Sequence, residues 1–598
     1  MSTTVNDFNF TVATVNGSGS QSSNSVLMRA IFNMGVPVSG KNLFPSNIAG
    51  LPTWFTVRAN ENGYIGRRVD DDLRILMNAA TVDEDLTKAG PNAFIILNDS
   101  IRPTVERDDL TLIKVPFTKL VSGVVKEMKL RKLVVNMIYV GVLGELLGLE
   151  EGTIRQALEK QFKGKQKAVE INAAAVQVGR DWVRENPVEG FPHRIERREI
   201  TQGKIIIDGN AAGGLGAVFG GLTVLTWYPI TPSSSLCESA IEYMKRLRHD
   251  EDGKSNYAAV QAEDELASIG MVLGASWAGA RAMTATSGPG ISLMSEFAGL
   301  SYYAEIPAVI WDIQRVGPST GLPTRTAQGD ISMVANLSHG DTQHIAIIPS
   351  TVEECFQFGQ EAFDLAEEFQ TIVFVMSDLD LGMNNWMADP FQPIDKPYSR
   401  GKVLSAEELD RIDKFERYRD VDGDGVPYRT IPGTDHEKAA YFCRGSGHDE
   451  SAGYSESSEV YERNLDRLAR KLDTARDRVP QPEIDTVEGA KIGIIAYGTT
   501  DSPMREARDI LAADGVPTDY FRLRSLPLNA KLNEFIASHE RVFVIEQNRD
   551  AQMAGLIKLH CGDVAHKLTS LLHYDGLPVD ARFIVDGVTE SIREKVES

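Results

Sequence analysis

Cysteine is scarce in this chain. Only four occur in 598 residues, Cys237, Cys355, Cys443 and Cys561, far apart and never as a C-x-x-C pair. That spacing excludes a disulfide framework and the clustered thiolates of an iron–sulfur site; isolated cysteines of this kind are small buried hydrophobes. No run of 18 apolar residues exists, so no membrane span is expected. The start, MSTTVNDFNF, lacks a basic stretch leading into an apolar one, so no secretory signal is expected and the location read from it is cytoplasmic. Basic residues are outnumbered, 62 Lys and Arg against 84 Asp and Glu, for a formal net charge of −22. A surface that acidic repels phosphate backbones, which argues against nucleic acid as a partner. No repeat of solenoid period is present.

The chain is otherwise of ordinary globular composition, 42% apolar and 24% charged, and too long for one core. Four stretches read differently. Residues 1–190 alternate strand-like runs (Phe10–Val15, Ala93–Leu97) with helical patterns and the apolar segment Leu133–Leu149, which predicts an α/β domain; charged Arg184–Lys204 reads as a linker. Residues 200–385 predict a doubly wound α/β domain. Its strands are Lys204–Asp208, Thr223–Trp227, Ala282–Thr286, Ala308–Asp312 and Thr371–Met376; its helices include Glu263–Ala275 and Ile291–Tyr303. Residues 386–488, rich in Asp, Glu, Arg, Gly and Pro, read as a polar arm or insertion, and 489–598 return to α/β with strands at Lys491–Tyr497 and Val542–Glu546.

Several segments carry chemistry. Gly17-Ser18-Gly19-Ser20 lies between a strand and a helix, where backbone N–H groups can hold a phosphate, but it lacks the third glycine of a dinucleotide fingerprint, and a tight structural turn explains it equally well. Tyr228-Pro229-Ile230-Thr231-Pro232 ends a strand, the side of an open α/β sheet where ligands bind; two prolines fix the backbone around Thr231, although a turn capping the next helix is an even alternative. Ala262-Glu263-Asp264-Glu265 opens an apolar helix. Acids there are favourable with the helix dipole, by about 0.3–1 kcal/mol each when exposed. The run after Glu265 is so apolar that the helix should be buried, and a carboxylate buried with it suits proton exchange with a ring nitrogen. Thr284–Gly290 (TATSGPG) is a small-residue loop allowing close backbone approach, and Gln314-Arg315 with Gly317–Arg325 puts guanidinium and hydroxyl groups on a stiff loop fit for a carboxylate. Asp420, Asp422 and Asp424, followed by Gly425, open like a calcium loop, yet Ile431 stands where the closing acid belongs, so a solvated turn competes with a metal site.

In this order, YPITPSS, AEDE, TATSGPG and QRVGPSTGLPT resemble the α subunit of 2-oxoacid:ferredoxin oxidoreductases, most of all the 2-oxoglutarate type with a γ domain fused ahead of the α portion. The resemblance spans nearly the whole chain. It implies a multidomain α/β fold: a pyrimidine-type doubly wound domain of thiamine diphosphate enzymes, flanked by an N-terminal γ-type domain and a C-terminal transketolase-C-like domain. It further implies that Glu265 bonds N1′ of the thiamine aminopyrimidine, with Tyr228 and Pro229 beside the cofactor, and that Thr231, Arg315 and Thr324 hold the 2-oxoacid. Arg325 and His339 would read its distal end. A β subunit would carry the diphosphate with Mg²⁺ and a 4Fe-4S cluster, since Gly423-Asp424-Gly425 lies in the polar arm rather than after an apolar strand. Coenzyme A would accept the acyl group, ferredoxin the electrons, and the assembly would be a dimer of αβ heterodimers. The rivals are the same chemistry on a short or branched 2-oxoacid, a non-catalytic scaffold that needs none of Thr231, Glu265 and Arg315, and a nucleotide-binding protein using Gly17–Gly19.

Overall fold

The computed structural model describes residues 3–45 and 50–597, with side chains through 593. It comprises two compact units, one of residues 1–206 with 384–390, the other of 207–383 with 391–598. Among the described residues no helix is long and apolar enough to cross a membrane.

The N-terminal unit is a six-stranded sheet in the order Val38–Leu43, Pro52–Asn60, Asp7–Val15, Leu73–Leu76, Phe94–Asn98, Thr111–Val115. The central strand Asp7–Val15 pairs antiparallel with Pro52–Asn60 and parallel with Leu73–Leu76. The apolar stretch near 140 forms the long helix Met128–Leu146, which packs on Gln166–Glu185. Glycine permits that contact: a Cβ on Gly179 or Gly141 would collide with the backbone of the facing helix.

The second unit holds two sheets. The larger has seven strands in the order Ala258–Gln261, Val224–Trp227, Ala282–Thr286, Ala308–Gln314, Ile372–Asp378, Ile345–Ile347, Ser525–Leu526. Its strands pair in parallel except the last, Ser525–Leu526, which is antiparallel to Ile345–Ile347. Its central strands are buried along their whole length, as apolar runs flanked by helices on both faces require. The smaller sheet, built around Ile492–Ala496 and Arg541–Glu546, is parallel apart from the edge strand Glu483–Asp485. This is the multidomain α/β fold expected.

Three details differ from the sequence reading. Lys204–Asp208 shrinks to the strand Ile205–Ile207, which is not part of the seven-stranded sheet. The glycine-rich run after it, which the sequence offers as a turn leading into a helix, is itself helical: Gly209–Phe219 is capped by Asp208, which accepts from the Ala211 N–H at 2.8 Å. Its glycines make room for neighbours, since a Cβ on Gly213 would stand 2.6 Å from the Trp311 ring. The predicted helix 291–303 breaks at Met294 into Gly288–Leu293 and Ser295–Ala304.

The polar arm packs by charge rather than by apolar runs. Its helix Ser458–Ala475 sends Arg467 and Lys471 to Glu305, whose side chain is fully buried; Arg467 donates to both carboxylate oxygens at 3.0 and 2.9 Å and Lys471 to one at 2.8 Å. Burial alone would raise Glu305, but the Arg467, Lys471 and Arg417 charges outweigh it and hold the carboxyl at about 2.

Candidate active site

The site is assembled from the C-terminal ends of parallel strands. Strand Val224–Trp227 delivers Tyr228, Pro229 and Thr231; Ala282–Thr286 leads into the loop to Gly290; Ala308–Gln314 ends beside Arg315. Tyr228 is 38% exposed, whereas Arg315 and Thr324 are buried. Arg315 ties the first and third of these loops together: Nη1 donates to the Thr231 carbonyl at 2.7 Å and Nη2 to the Thr320 carbonyl at 3.2 Å. Its Nε is buried with no protein acceptor. The loop beyond it closes on itself through Val316 N–H to Arg325 O and Leu322 N–H to Val316 O, both 3.0 Å, and Arg325 folds back to donate to the Thr324 carbonyl and hydroxyl at 2.9 and 3.1 Å.

Glu265 is the first residue of the helix Glu265–Trp277, whose N-cap Asp264 accepts from the Ala267 N–H at 2.6 Å. Capping by Asp264 leaves the Glu265 carboxylate free for another role. It is 6% exposed, and among the described residues no hydrogen bond reaches it. Arg315 is within its electrostatic reach. The TATSGPG loop makes room for it: a Cβ on Gly290 would fall on Thr286 Oγ1 and stand 2.7 Å from Glu265 Cγ. Thr284 Oγ1 and Ser287 Oγ in the same loop are buried without partners. A buried carboxylate lacking a protein partner fits a polar ring nitrogen that would supply one.

The helix is not buried all round, as its sequence suggests. Its inner side packs through Ile269, Val272 and Leu273, but Leu266, Met271 and Trp277 are 39%, 37% and 37% exposed, and every residue of the adjoining edge strand Ala258–Gln261 is exposed.

One pair of groups went unread in the sequence. Asp312, within the strand Ala308–Gln314, and Asp330, before the helix Ile331–Ala335, are two interacting buried carboxyls, and among the described residues neither oxygen of Asp312 has a hydrogen-bond partner. Burial raises both, Asp330 to about 6, and the Asp330 charge raises Asp312 further. Asp330 also helps to neutralise Arg315 and stands where a Cβ on Gly288 would reach it at 2.7 Å. The only sequence signal was an acid closing an apolar strand.

His339 lies on a different loop from Arg315–Arg325, after the helix Ile331–Ala335. It is exposed in the turn after Ser338 and lines an open cavity of about 720 Å³ with Leu266, Tyr302, Tyr303, Gly445 and Tyr461. The acidic loop is an ion-paired turn: Lys402 bonds Asp422 and Asp424 at 2.6 and 2.8 Å, and Arg470 bonds Asp420 at 3.0 Å. Its carboxylates are turned to these cations and to backbone N–H groups, and among the described residues no cluster of three or more His, Cys, Asp or Glu is placed to hold a metal.

Known proteins match this arrangement. Residues 215–395 fit the family model described as pyruvate flavodoxin/ferredoxin oxidoreductase, thiamine diP-bdg, and residues 9–182 the model for pyruvate ferredoxin/flavodoxin oxidoreductase. A doubly wound domain that fits a thiamine-binding family model defines the class: a thiamine diphosphate-binding oxidoreductase subunit. The 2-oxoacid:ferredoxin oxidoreductase 2 subunit alpha of Aeropyrum pernix is 30% identical over 99% of this chain and 98% of its own length. The 2-oxoglutarate synthase subunit KorA of Methanothermobacter marburgensis is 35% identical over 57% of this chain and 87% of its own. The structure of the 2-oxoglutarate:ferredoxin oxidoreductase of Magnetococcus marinus, with 2-oxoglutarate, coenzyme A and succinyl-CoA bound, superposes with a TM-score of 0.88 at 29% identity, covering 98% of this chain and all of that one. The chain belongs to the α subunits of the 2-oxoacid:ferredoxin oxidoreductases.

Proposed function

We propose that this chain catalyses, with a β subunit, the CoA-dependent oxidative decarboxylation of 2-oxoglutarate to succinyl-CoA, passing electrons to ferredoxin. The observation that carries the chemistry is the buried, unpartnered Glu265 carboxylate within electrostatic reach of Arg315. The substrate choice is supported by the whole-chain likeness to the Magnetococcus marinus enzyme. When bound, thiamine diphosphate supplies the nucleophilic carbon and the electron sink that decarboxylation needs. Glu265 holds a proton at a pyrimidine nitrogen, with Tyr228 and Pro229 at the mouth of the site. Thr231, Arg315 and Thr324 orient the 2-carboxylate and carbonyl, and Arg325, in the same loop, offers the second cation that a dicarboxylate requires. Neither the metal nor the electron-transfer centre is assigned to this chain. The β subunit carries Mg²⁺ and a 4Fe-4S cluster, and the exposed Leu266, Met271 and Trp277 face is the surface it covers, within a cytoplasmic dimer of αβ heterodimers. Coenzyme A is assigned to the N-terminal unit, where Gly19, at φ 83, opens the helix Ser20–Asn33 and Lys129 and Lys132 are exposed on the neighbouring helix.

The test is anaerobic viologen reduction by the chain co-purified with its partner, with coenzyme A and a panel of 2-oxoacids. Turnover confined to 2-oxoglutarate, lost by about 10²–10⁴-fold in Glu265→Gln, is expected. Turnover only with pyruvate or 2-oxoisovalerate would refute the substrate, and full activity of the Glu265→Gln complex would refute the catalytic role in favour of a scaffold.

A further inference from the structure

The segment running from Thr324 and Arg325 to the helix Ile331–Ala335 is tied at its two ends to its own domain, at Arg325 by Val316 and Leu322 and at Asp330, whose N–H donates to Gln314 Oε1 at 3.2 Å. Between those points its backbone is held by the C-terminal stretch. The Thr326 N–H donates to Gly576 O at 3.1 Å and the Gln328 N–H to Gln547 O at 2.9 Å. Asn548 Nδ2 donates to Gln328 O at 3.1 Å. Gln552 grips both sides of Asp330: its Nε2 donates to Gly329 O at 2.6 Å and its Oε1 accepts from the Ser332 N–H at 3.0 Å.

The side chain of Gln328, 1% exposed, is the other half of the grip. Its Nε2 lies 3.2 Å from Asp378 Oδ2 and 3.4 Å from both Tyr497 O and Thr499 Oγ1, while its Oε1 accepts from Thr500 Oγ1 at 3.1 Å. Gln547 Nε2 bonds the same two threonines at 3.0 and 3.1 Å. The C-terminal stretch is shaped around this segment as well as bonded to it. Gly498, at φ 55, would place a Cβ 2.6 Å from Gln328 Nε2, and Gly576, at φ 84, a Cβ 3.0 Å from Arg325 Cβ. Thr231 and Arg315 are fixed differently, by their bond to each other and by Arg315 to Thr320.

We propose that Gln328, Gln547, Asn548 and Gln552 are positioning residues that hold the Thr324–Arg325 loop, so that the C-terminal domain sets 2-oxoacid affinity without touching substrate. The assignment of that loop to the substrate rests on the function proposed above. The grip acts on one half of the site only. Loosening it frees Thr324 and Arg325 while Glu265, Thr231 and Arg315 stay in register, so the cost falls on substrate binding rather than on the chemical step.

Gln552→Ala removes two hydrogen bonds from a half-buried side chain at the start of the helix Gln552–His560 and leaves the buried network intact. In the purified complex, KM for the 2-oxoacid should rise about tenfold, with kcat within about threefold and KM for coenzyme A unchanged. Hydrogen exchange, read without turnover, should quicken in peptides covering 324–335 and stay unchanged in those covering 226–234 and 263–270. Gly498→Ala, which crowds Gln328 from the other side, should give the same pattern. Unchanged exchange at 324–335 would overturn the grip, and faster exchange with an unaltered 2-oxoacid KM would overturn its bearing on substrate. The kinetics use whichever 2-oxoacid the unaltered complex turns over. A complex turning over none refutes the functional reading and the affinity claim together, and the exchange result still decides whether these residues hold the loop.

Discussion

Gly290→Ala tests the geometry of the site more sharply than removal of any catalytic group. The substitution adds one methyl group, whose carbon would sit 2.7 Å from Glu265 Cγ and on top of Thr286 Oγ1. Carbon atoms settle at about 3.5–4.0 Å, so the Thr286 hydroxyl must turn away and the Glu265 side chain must retreat by roughly 1 Å. Thr286 is completely buried in a strand and can yield only its hydroxyl by rotation, so the Glu265 side chain takes up the rest of the displacement. A displacement of about 1 Å in a reacting group costs about 10²-fold in rate. The backbone should tolerate the change: Gly290 lies in the helix Gly288–Leu293 without a positive φ. There alanine gains about 1 kcal/mol of helix propensity against about 1–3 kcal/mol of overpacking. The expected variant therefore folds, co-purifies with its partner and unfolds within a few degrees of the unaltered complex, yet loses about a hundredfold in kcat by viologen reduction. Turnover within about threefold of the unaltered complex, while Glu265→Gln remains inactive, would show that the loop glycine does not place the glutamate.

Two further predictions concern stability. Glu305→Gln leaves Arg467 and Lys471 buried without their counter-charge, an expected loss of about 3–5 kcal/mol; it should appear as a lower thermal midpoint and faster proteolysis within 386–488, and an unchanged midpoint would refute the ionic anchoring of the arm. Asp378, buried and raised to about 6 chiefly by that burial and then by Asp380, binds its proton more tightly folded than unfolded. Its contribution is therefore complete below about pH 4 and lost as pH rises to about 6, on the order of 3 kcal/mol in all. Asp378→Asn should flatten the fall in thermal midpoint between pH 4 and 6, and an unchanged pH profile would contradict it.

Much of the site could be read in the sequence because its chemistry sits at strand ends that strong apolar patterns announce. Ala282–Thr286 and the strand beginning at Ala308 are buried throughout, and the residues just beyond them, through Gly290 and at Arg315, had to lie where ligands bind. Glu265 stood out as an acid heading an apolar helix. The pattern misled where one apolar face serves two purposes: Leu266, Met271 and Trp277 are as hydrophobic as Ile269 and Val272, and hydropathy alone does not tell a face awaiting a partner from one packed inside the chain. The glycines from 209 to 216 read as a turn for a related reason, since a tight turn and close helix packing both ask for a missing Cβ.

Charge and backbone explain the rest. The arm is docked by Arg417, Arg467 and Lys471, residue types that ordinarily mark a solvated surface, so its low hydrophobicity concealed a buried contact. The hold on the segment from 326 to 332 is written mostly in main-chain groups, the Thr326 and Gln328 N–H and the Gln328 and Gly329 carbonyls, which leave no residue-type signature. Their partners Gln547, Asn548 and Gln552 lie more than two hundred positions away, in a domain whose sequence shows only strands and helices. The consequence is physical. A domain can govern a reaction through hydrogen bonds to someone else's backbone, and then the residues that matter are amides and glycines such as Gly498, whose value lies in the space they leave for Gln328.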